Sequence, residues 1–525
     1  MTRTLWIDGT FRTLDPHRPT ATALLTEDEH VLAAGDVAEL RAHTTGITST
    51  IGLGGATVTP GLVDAHIHTA GYARDLTTVD LRGCTTQREA LAEIARFVAG
   101  LEPGRWLFGG RWDANDWPEG LPDRDVLDRV CPDRPAILPS IDGHTHWVSS
   151  LALQQLSIDD HTPDPPGGTI ERDAVGRATG ILRESATLAG EHLMTLHSGD
   201  LTDQLRVAQQ RLLAVGLTGV HCFDGEDARA AYETLRAAGE LAIRVHKSVP
   251  LTALDQAIDE GRRTGDGDAW LSTGPVKVFS DGALGSHTCH MGEPFPGGGH
   301  GMEVISVPDL VDVVVRATRA GLGVATHAIG DEANHRVLTA YAEARRLAGP
   351  PAVRHRVEHT QHLRPGDVAR LAALDVVASM QPTHCTSDVR LVERLLAGRD
   401  LRSYAWASLL RAGALVALGS DAPVEEPGPM AGIQAAVTRQ EPETGHPAGG
   451  FEPHERLTID QAVHGFTVAP ARAAGLAAPT GTLRPGAPAD LVAWSGDPWR
   501  VPATELGALR ALTTAVGGVV RRTTA

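Results

Sequence analysis

The stretch PGLVDAHIH, residues 60–68, reads as a buried strand that turns polar at its far end. Leu62, Val63, Ala65 and Ile67 are apolar, and His66 and His68 close the run. Residues two apart on a strand share a face, so the two histidines point the same way. Similar apolar runs are LTGVHCF (217–223), LAIRVHKSV (241–249), PVKVFSD (275–281), GVATHA (323–328), RHRVEHT (354–360), DVVASMQP (375–382) and ALVALGSD (414–421). From residue 205 onward, Ala/Leu/Arg-rich stretches of helical period separate them, the alternation expected of βα units around a parallel sheet. With GLVDAHIH (61–68) and PAILPSID (135–142) the runs number nine, one too many for an eight-stranded barrel. The odd one out is 135–142, because regular strand-helix spacing is lost between residues 70 and 200. That segment reads as a long insertion after the first strand, and the expected fold class is α/β, a TIM-like (β/α)8 barrel.

A chain of 525 residues has room for two to four domains or one elaborated barrel. Hydrophobic residues make up 42% and charged residues 21%, an ordinary globular balance that argues against wholesale disorder. Lys plus Arg number 47 against 65 Asp plus Glu, and the net charge of −18 repels phosphate backbones and anionic lipid. No nucleic acid or membrane partner is expected. The N-terminus shows no secretory signal, and no run of 18 uncharged apolar residues occurs. Cys84, Cys131, Cys222, Cys289 and Cys385 form no CxxC and read as free thiols, so the expected location is cytoplasmic. Pro/Gly clusters at 163–168, 294–300 and 425–429 read as loops over one scaffold.

The chemistry lies where polar residues end apolar strands. His66 and His68, Lys277, His327, His359 and Asp421 each fall within or at the C-terminal end of a run, and in a (β/α)8 barrel those ends form the active-site face. Two histidines on one face can hold one ion, and single histidines from later strands can serve a second. Taken singly, each signal has an ordinary explanation: His144 and His146 form a second HxH, and a strand-end histidine is often just hydrogen-bonded. Lys277 sits among apolar neighbours in PVKVF, and a desolvated lysine tends to lose its proton. A neutral amine can add carbon dioxide, and the carbamate is an anionic two-oxygen ligand able to bridge two cations.

PGLVDAHIH, PVKVFSDGALGS, THAIGDEA, VEHTQ, QPTH and GSDAPV resemble the amidohydrolase superfamily. DGHTHWVSS, PDPPGG and KVFSDGALGS are similar to its N-substituted formamide deformylase-like branch, and the resemblance runs from about residue 5 to about residue 520. It implies that residues 1–58 plus 480–525 form a small composite β domain, and that residues 59–479 form the barrel with its insertion at about 70–200. By the same resemblance His66 and His68 bind one divalent metal ion and His327 and His359 a second, with zinc the expected ion. Carboxylated Lys277 bridges them, and Asp421 binds the first metal and exchanges protons. The sequence departs from the branch at His287, where an arginine is usual, and at His146, where a less bulky residue is usual; both bear on substrate choice.

The implied reaction is hydrolysis of a linear C–N amide bond, with an N-substituted formamide the nearest substrate. Cyclic amide, carbamate or ester hydrolysis at the same centre, or a non-catalytic metal-binding regulatory protein, stay open as alternatives. The partner is a small-molecule amide, and a homodimer is one expected assembly. His144 and His384 are candidate hydrogen-bond donors to the carbonyl, balanced against plain loop histidines. Asp281 is a candidate supporting residue, and Asp331 reads slightly better as a helix cap. The insertion carries Trp106, Trp112, Trp117 and Trp147. Each reads singly as packing, and as a group they suggest an apolar wall for the N-substituent.

Overall fold

The computed structural model describes residues 2–524 except 44, 103, 115–116, 141–143, 198 and 478, with the side chains of 43 and 195 also left aside. Residues 141–142 of the run expected at 135–142, and Asp142 and Gly143 of DGHTHW, lie outside the described residues. The chain divides into two compact units, residues 1–69 with 206–525, and residues 70–205.

The first unit holds eight strands in one parallel sheet: β1 (Leu62–Ile67), β2 (Leu217–Cys222), β3 (Arg244–Pro250), β4 (Leu271–Phe279), β5 (Val324–Ala328), β6 (Arg356–His359), β7 (Val377–Met380) and β8 (Leu415–Leu418). Each pairs in parallel with the next. The ring is drawn together where β8 meets β1, since Asp421 N–H donates to His66 O at 2.7 Å and His68 N–H to Ala422 O at 2.8 Å. This is the expected (β/α)8 barrel. The helix Val307–Arg319 illustrates how its outer layer forms: Ser306 caps the first turn, and Leu310, Val313, Val314 and Ala317 place a buried stripe at helical spacing.

In the same unit a second eight-stranded sheet joins segments from the two ends of the chain. Strand Ser49–Pro60 runs parallel to Arg3–Arg12 and antiparallel to Leu491–Trp494, with Leu491 opposite Pro60. Trp6, Phe11, Leu24, Val58, Leu491 and Ala515 fill its core. Ser49–Pro60 leads through Gly61 directly into β1.

The second unit has its own six-stranded sheet, which includes Leu107–Gly110, Ala136–Pro139, Thr145–Val148 and Ala178–Glu184. The surplus run of the sequence is therefore a strand of the insertion. Trp112, Trp117 and Trp147 are buried in this unit's core, with ring centroids 6.0 to 6.3 Å apart. Their indole N–H groups donate to Leu138 O, Cys84 O and Asp123 O respectively. Internal packing accounts for these three, and Trp106 is half-buried against His197 at 4.7 Å. All five cysteines are free thiols, four of them buried. Among the described residues no helix is long and apolar enough to cross a membrane.

Candidate metal centre

The six predicted strand-end residues come from five places on the ring. His66 ends β1 and His68 follows it, Lys277 lies in β4, His327 in β5, His359 ends β6, and Asp421 follows β8. His359 and Asp421 both adopt left-handed backbone, with φ of 72° and 62°. Non-glycine residues avoid that region unless the surroundings over-determine it, and such strain concentrates at functional sites. Gly419 makes the Asp421 turn possible, since a Cβ there would stand 2.5 Å from both Asp64 Oδ1 and His66 N. Asp64 secures the same turn by accepting from Ser420 Oγ at 2.6 Å and from Ser420 N–H and His66 N–H, each at 3.0 Å.

The donor atoms converge on Asp421. Its Oδ1 lies 3.3 Å from His66 Nε2 and 3.5 Å from His68 Nε2; its Oδ2 lies 3.8 Å from His384 Nε2 and 4.0 Å from His359 Nδ1. Donors of His66, His68 and Asp421 lie within 4.8 Å of one another, as do those of His359, His384 and Asp421. The His327 and His359 rings are 4.4 Å apart.

Protein groups hold one nitrogen of several of these imidazoles. His66 Nδ1 donates to Glu358 Oε2 at 2.6 Å, leaving Nε2 free. His359 Nδ1 donates to Gln381 Oε1 at 2.9 Å, and His327 Nε2 donates to Gly282 O at 3.0 Å. His68 Nδ1 stands 3.6 Å from Asp224 Oδ1. Such outer partners orient metal-binding histidines and raise their basicity. Asp64, Asp224, Glu358 and Gln381 are the residues the sequence reading missed. The signal for Glu358 is present in RVEH, where Arg356 and Glu358 carry opposite charges two apart on a buried strand.

Burial dominates the electrostatics. It pushes the Lys277 ammonium down to about 8 and His327 down to about 3, the latter aided by Lys277 itself. It also lowers His359 well below the usual imidazole range, with His327 adding to the effect. Burial opposes ionisation of Asp421, but His66 beside it, then His359 and His384, hold its carboxyl well below the usual range. Glu358 is held low against burial by Arg356 and His66. Arg356 Nε donates to Glu358 Oε1 at 2.7 Å. Lys277 Nζ lies 4.8 Å from the Phe223 ring centroid and 4.9 Å from that of Phe279.

Other candidates fall elsewhere. His384 lies in the first turn of the helix Pro382–Leu395 and stacks on His359 at 5.9 Å. His144 belongs to the second unit, is exposed, and has Nδ1 3.1 Å from Glu184 Oε2. His146, in the same unit, is buried and pushed down to about 4. His287 is exposed and stacks on Phe295 at 5.0 Å. Asp281 stands 3.5 Å from His327 Nε2 and accepts from the N–H groups of His290, Ile329 and Gly330; burial raises it to about 7. Asp331 is not a helix cap. Gly330 takes that position, and Asp331 instead accepts from Gly292 N–H and Arg364 Nε because its side chain turns inward at the first helical residue.

A divalent metal ion fits this donor set. His66 Nε2, Lys277 Nζ and His384 Nε2 are buried nitrogens without a hydrogen-bond partner, in a cluster of imidazoles around one carboxylate. Buried polar atoms are normally paired, and a cation would satisfy the lone pair of His66 Nε2, whose Nδ1 is taken by Glu358.

Comparison with known proteins agrees. Protein LONG AFTER FAR-RED 3 of Arabidopsis thaliana is 33% identical over 97% of this chain and 90% of its own length. N-substituted formamide deformylase of Arthrobacter pascens is 30% identical over 98% of this chain and 97% of its own. The solved structure of an uncharacterized metal-dependent hydrolase from Pyrococcus furiosus matches with a TM-score of 0.76 at 28% identity, covering 95% of this chain and 100% of that one. The profile of the amidohydrolase family matches residues 49–522, and the chain belongs to that family.

Proposed function

We propose that the protein is a metal-dependent amidohydrolase that cleaves a linear C–N amide bond, with an N-substituted formamide as the nearest substrate. The observation that carries this reading is the convergence of partnerless buried nitrogens and Asp421 at the C-terminal ends of the barrel strands. The likeness to N-substituted formamide deformylase supports the choice of substrate.

His66 and His68 would hold one divalent cation and His327 and His359 a second, with Asp421 also binding the first. Two cations so held, zinc being the expected ion, supply Lewis acidity to the substrate carbonyl and to the attacking water. Lys277 would bridge them as a carbamate. Its Nζ lone pair forms the N–C bond to carbon dioxide, and an N–H proton leaves to solvent. Asp421 accepts the water proton as the water oxygen attacks the carbonyl carbon. It then delivers that proton to the amide nitrogen as the C–N bond breaks, because an amide anion is too basic to leave unaided. His384 donates Nε2–H to the carbonyl oxygen as negative charge builds there. The products are an acid and an amine.

The test is elemental analysis of protein grown in zinc-replete medium together with an assay of amine release from N-benzylformamide. Close to two ions per chain, with turnover abolished by a chelator and restored by zinc, is the expected result. A metal-free chain, or turnover indifferent to chelation, would overturn the reading.

A further inference from the structure

Phe279 is exposed beside the candidate centre. It ends β4 two residues after Lys277, so the two side chains share the inward face of the strand, with Phe279 one step nearer the mouth. In the sheet it stands opposite His327, and the two rings are 5.3 Å apart. Yet Phe279 is 47% exposed, the one aromatic among the exposed large apolar side chains of the described residues. Val304, 51% exposed, donates its N–H to the carbonyl of Ser280, the residue after Phe279, at 2.9 Å. An open aromatic face within reach of reacting atoms is a binding surface, since closing it against an apolar group removes both surfaces from water.

We propose that Phe279 is the specificity contact of this site and selects amides bearing an apolar, aryl-sized substituent. The buried tryptophans of the insertion do not supply that contact from their own core, whereas Phe279 offers its ring next to His327 and Lys277. This assignment rests on the metal-dependent amidohydrolase reading.

Metal-binding amide analogues test it without turnover. Zinc-loaded protein is titrated by calorimetry with benzohydroxamate and acetohydroxamate, which differ on the acyl side. A second pair, N-benzyl-N-hydroxyformamide and N-methyl-N-hydroxyformamide, differs on the nitrogen side. In at least one pair the ring compound is expected to bind about tenfold more tightly. Phe279→Ala should reduce that preference to about twofold or less, while Phe279→Tyr keeps it and both variants keep their zinc. The pair that responds tells which side of the amide meets Phe279. Binding without a ring preference, or a preference unchanged in Phe279→Ala, overturns this assignment alone. Loss of zinc from Phe279→Ala also overturns it, by making the ring a support for the ligands. Failure of all four compounds to bind the wild type overturns the metal-centre reading, and this assignment with it.

Discussion

His66 Nδ1 meets Glu358 Oε2 at 2.6 Å, with both side chains fully buried. The pair fixes the ring so that Nε2 faces Asp421, and Glu358 is itself neutralised by Arg356 at 2.7 Å. Removing such a partner typically costs a metal site about 10- to 100-fold in affinity, and this is expected for Glu358→Gln. It would also leave Arg356 as an uncompensated buried charge, at a cost of about 3–5 kcal/mol in stability. Competition for zinc against a chelating dye, alongside a denaturant melt, measures both; unchanged affinity would mean that His66 is oriented without Glu358.

In the proposed centre Lys277 binds metal as a carbamate, and Lys277→Ala removes that ligand. The variant should lose metal and activity, and acetate or propionate should restore part of each by occupying the vacated space as a two-oxygen ligand. Elemental analysis and turnover with and without the acids check this, and full activity in the variant would remove the lysine from the centre.

Asp421→Asn keeps an oxygen at the position that His66 and His68 face, but it cannot accept a proton. Fold and most bound metal should persist while turnover falls by about a hundred- to ten-thousand-fold. Circular dichroism, zinc content and kcat together decide it. Parallel loss of fold and activity would mark Asp421 as structural.

Trp147 is fully buried, edge-on to Trp112 and Trp117, and its N–H is satisfied by Asp123 O. Trp147→Ala should therefore cost about 3–5 kcal/mol, as expected for a large core truncation, and should loosen residues 70–205. Hydrogen exchange resolved along the chain reads this directly. Undiminished protection across those residues would contradict a core role.

The barrel and its strand-end residues are legible in the sequence because both depend on local pattern: an apolar run fixes a strand, and a polar residue at its end falls on one face. Lys277 stands out in PVKVF for that reason. Asp64 and Glu358 do not stand out, because their meaning lies in partners far along the chain. Ser420 is 356 residues from Asp64, and His66 is 292 from Glu358. The tryptophans are misleading for a related reason. LFGG, AILP and THWV are four-residue strands with too little periodicity to announce a separate sheet, so the aromatic residues that fill its core read as surplus to a loop. Asp331 has a cap-like residue type, but the cap position one residue earlier belongs to glycine.

Strand Ser49–Pro60, flanked by Arg3–Arg12 and Leu491–Trp494, has a consequence for synthesis of the chain. Its second neighbour lies more than 400 residues downstream, which at about 5–20 residues per second is a delay of roughly 20–90 s on the ribosome. Throughout that interval one edge of the strand presents unpaired N–H and C=O groups, a template for pairing with any other extended chain. Nascent protein is thus most vulnerable to aggregation before residues 491–516 emerge, and a chaperone that shields extended segments would raise the yield of soluble protein by acting in that window.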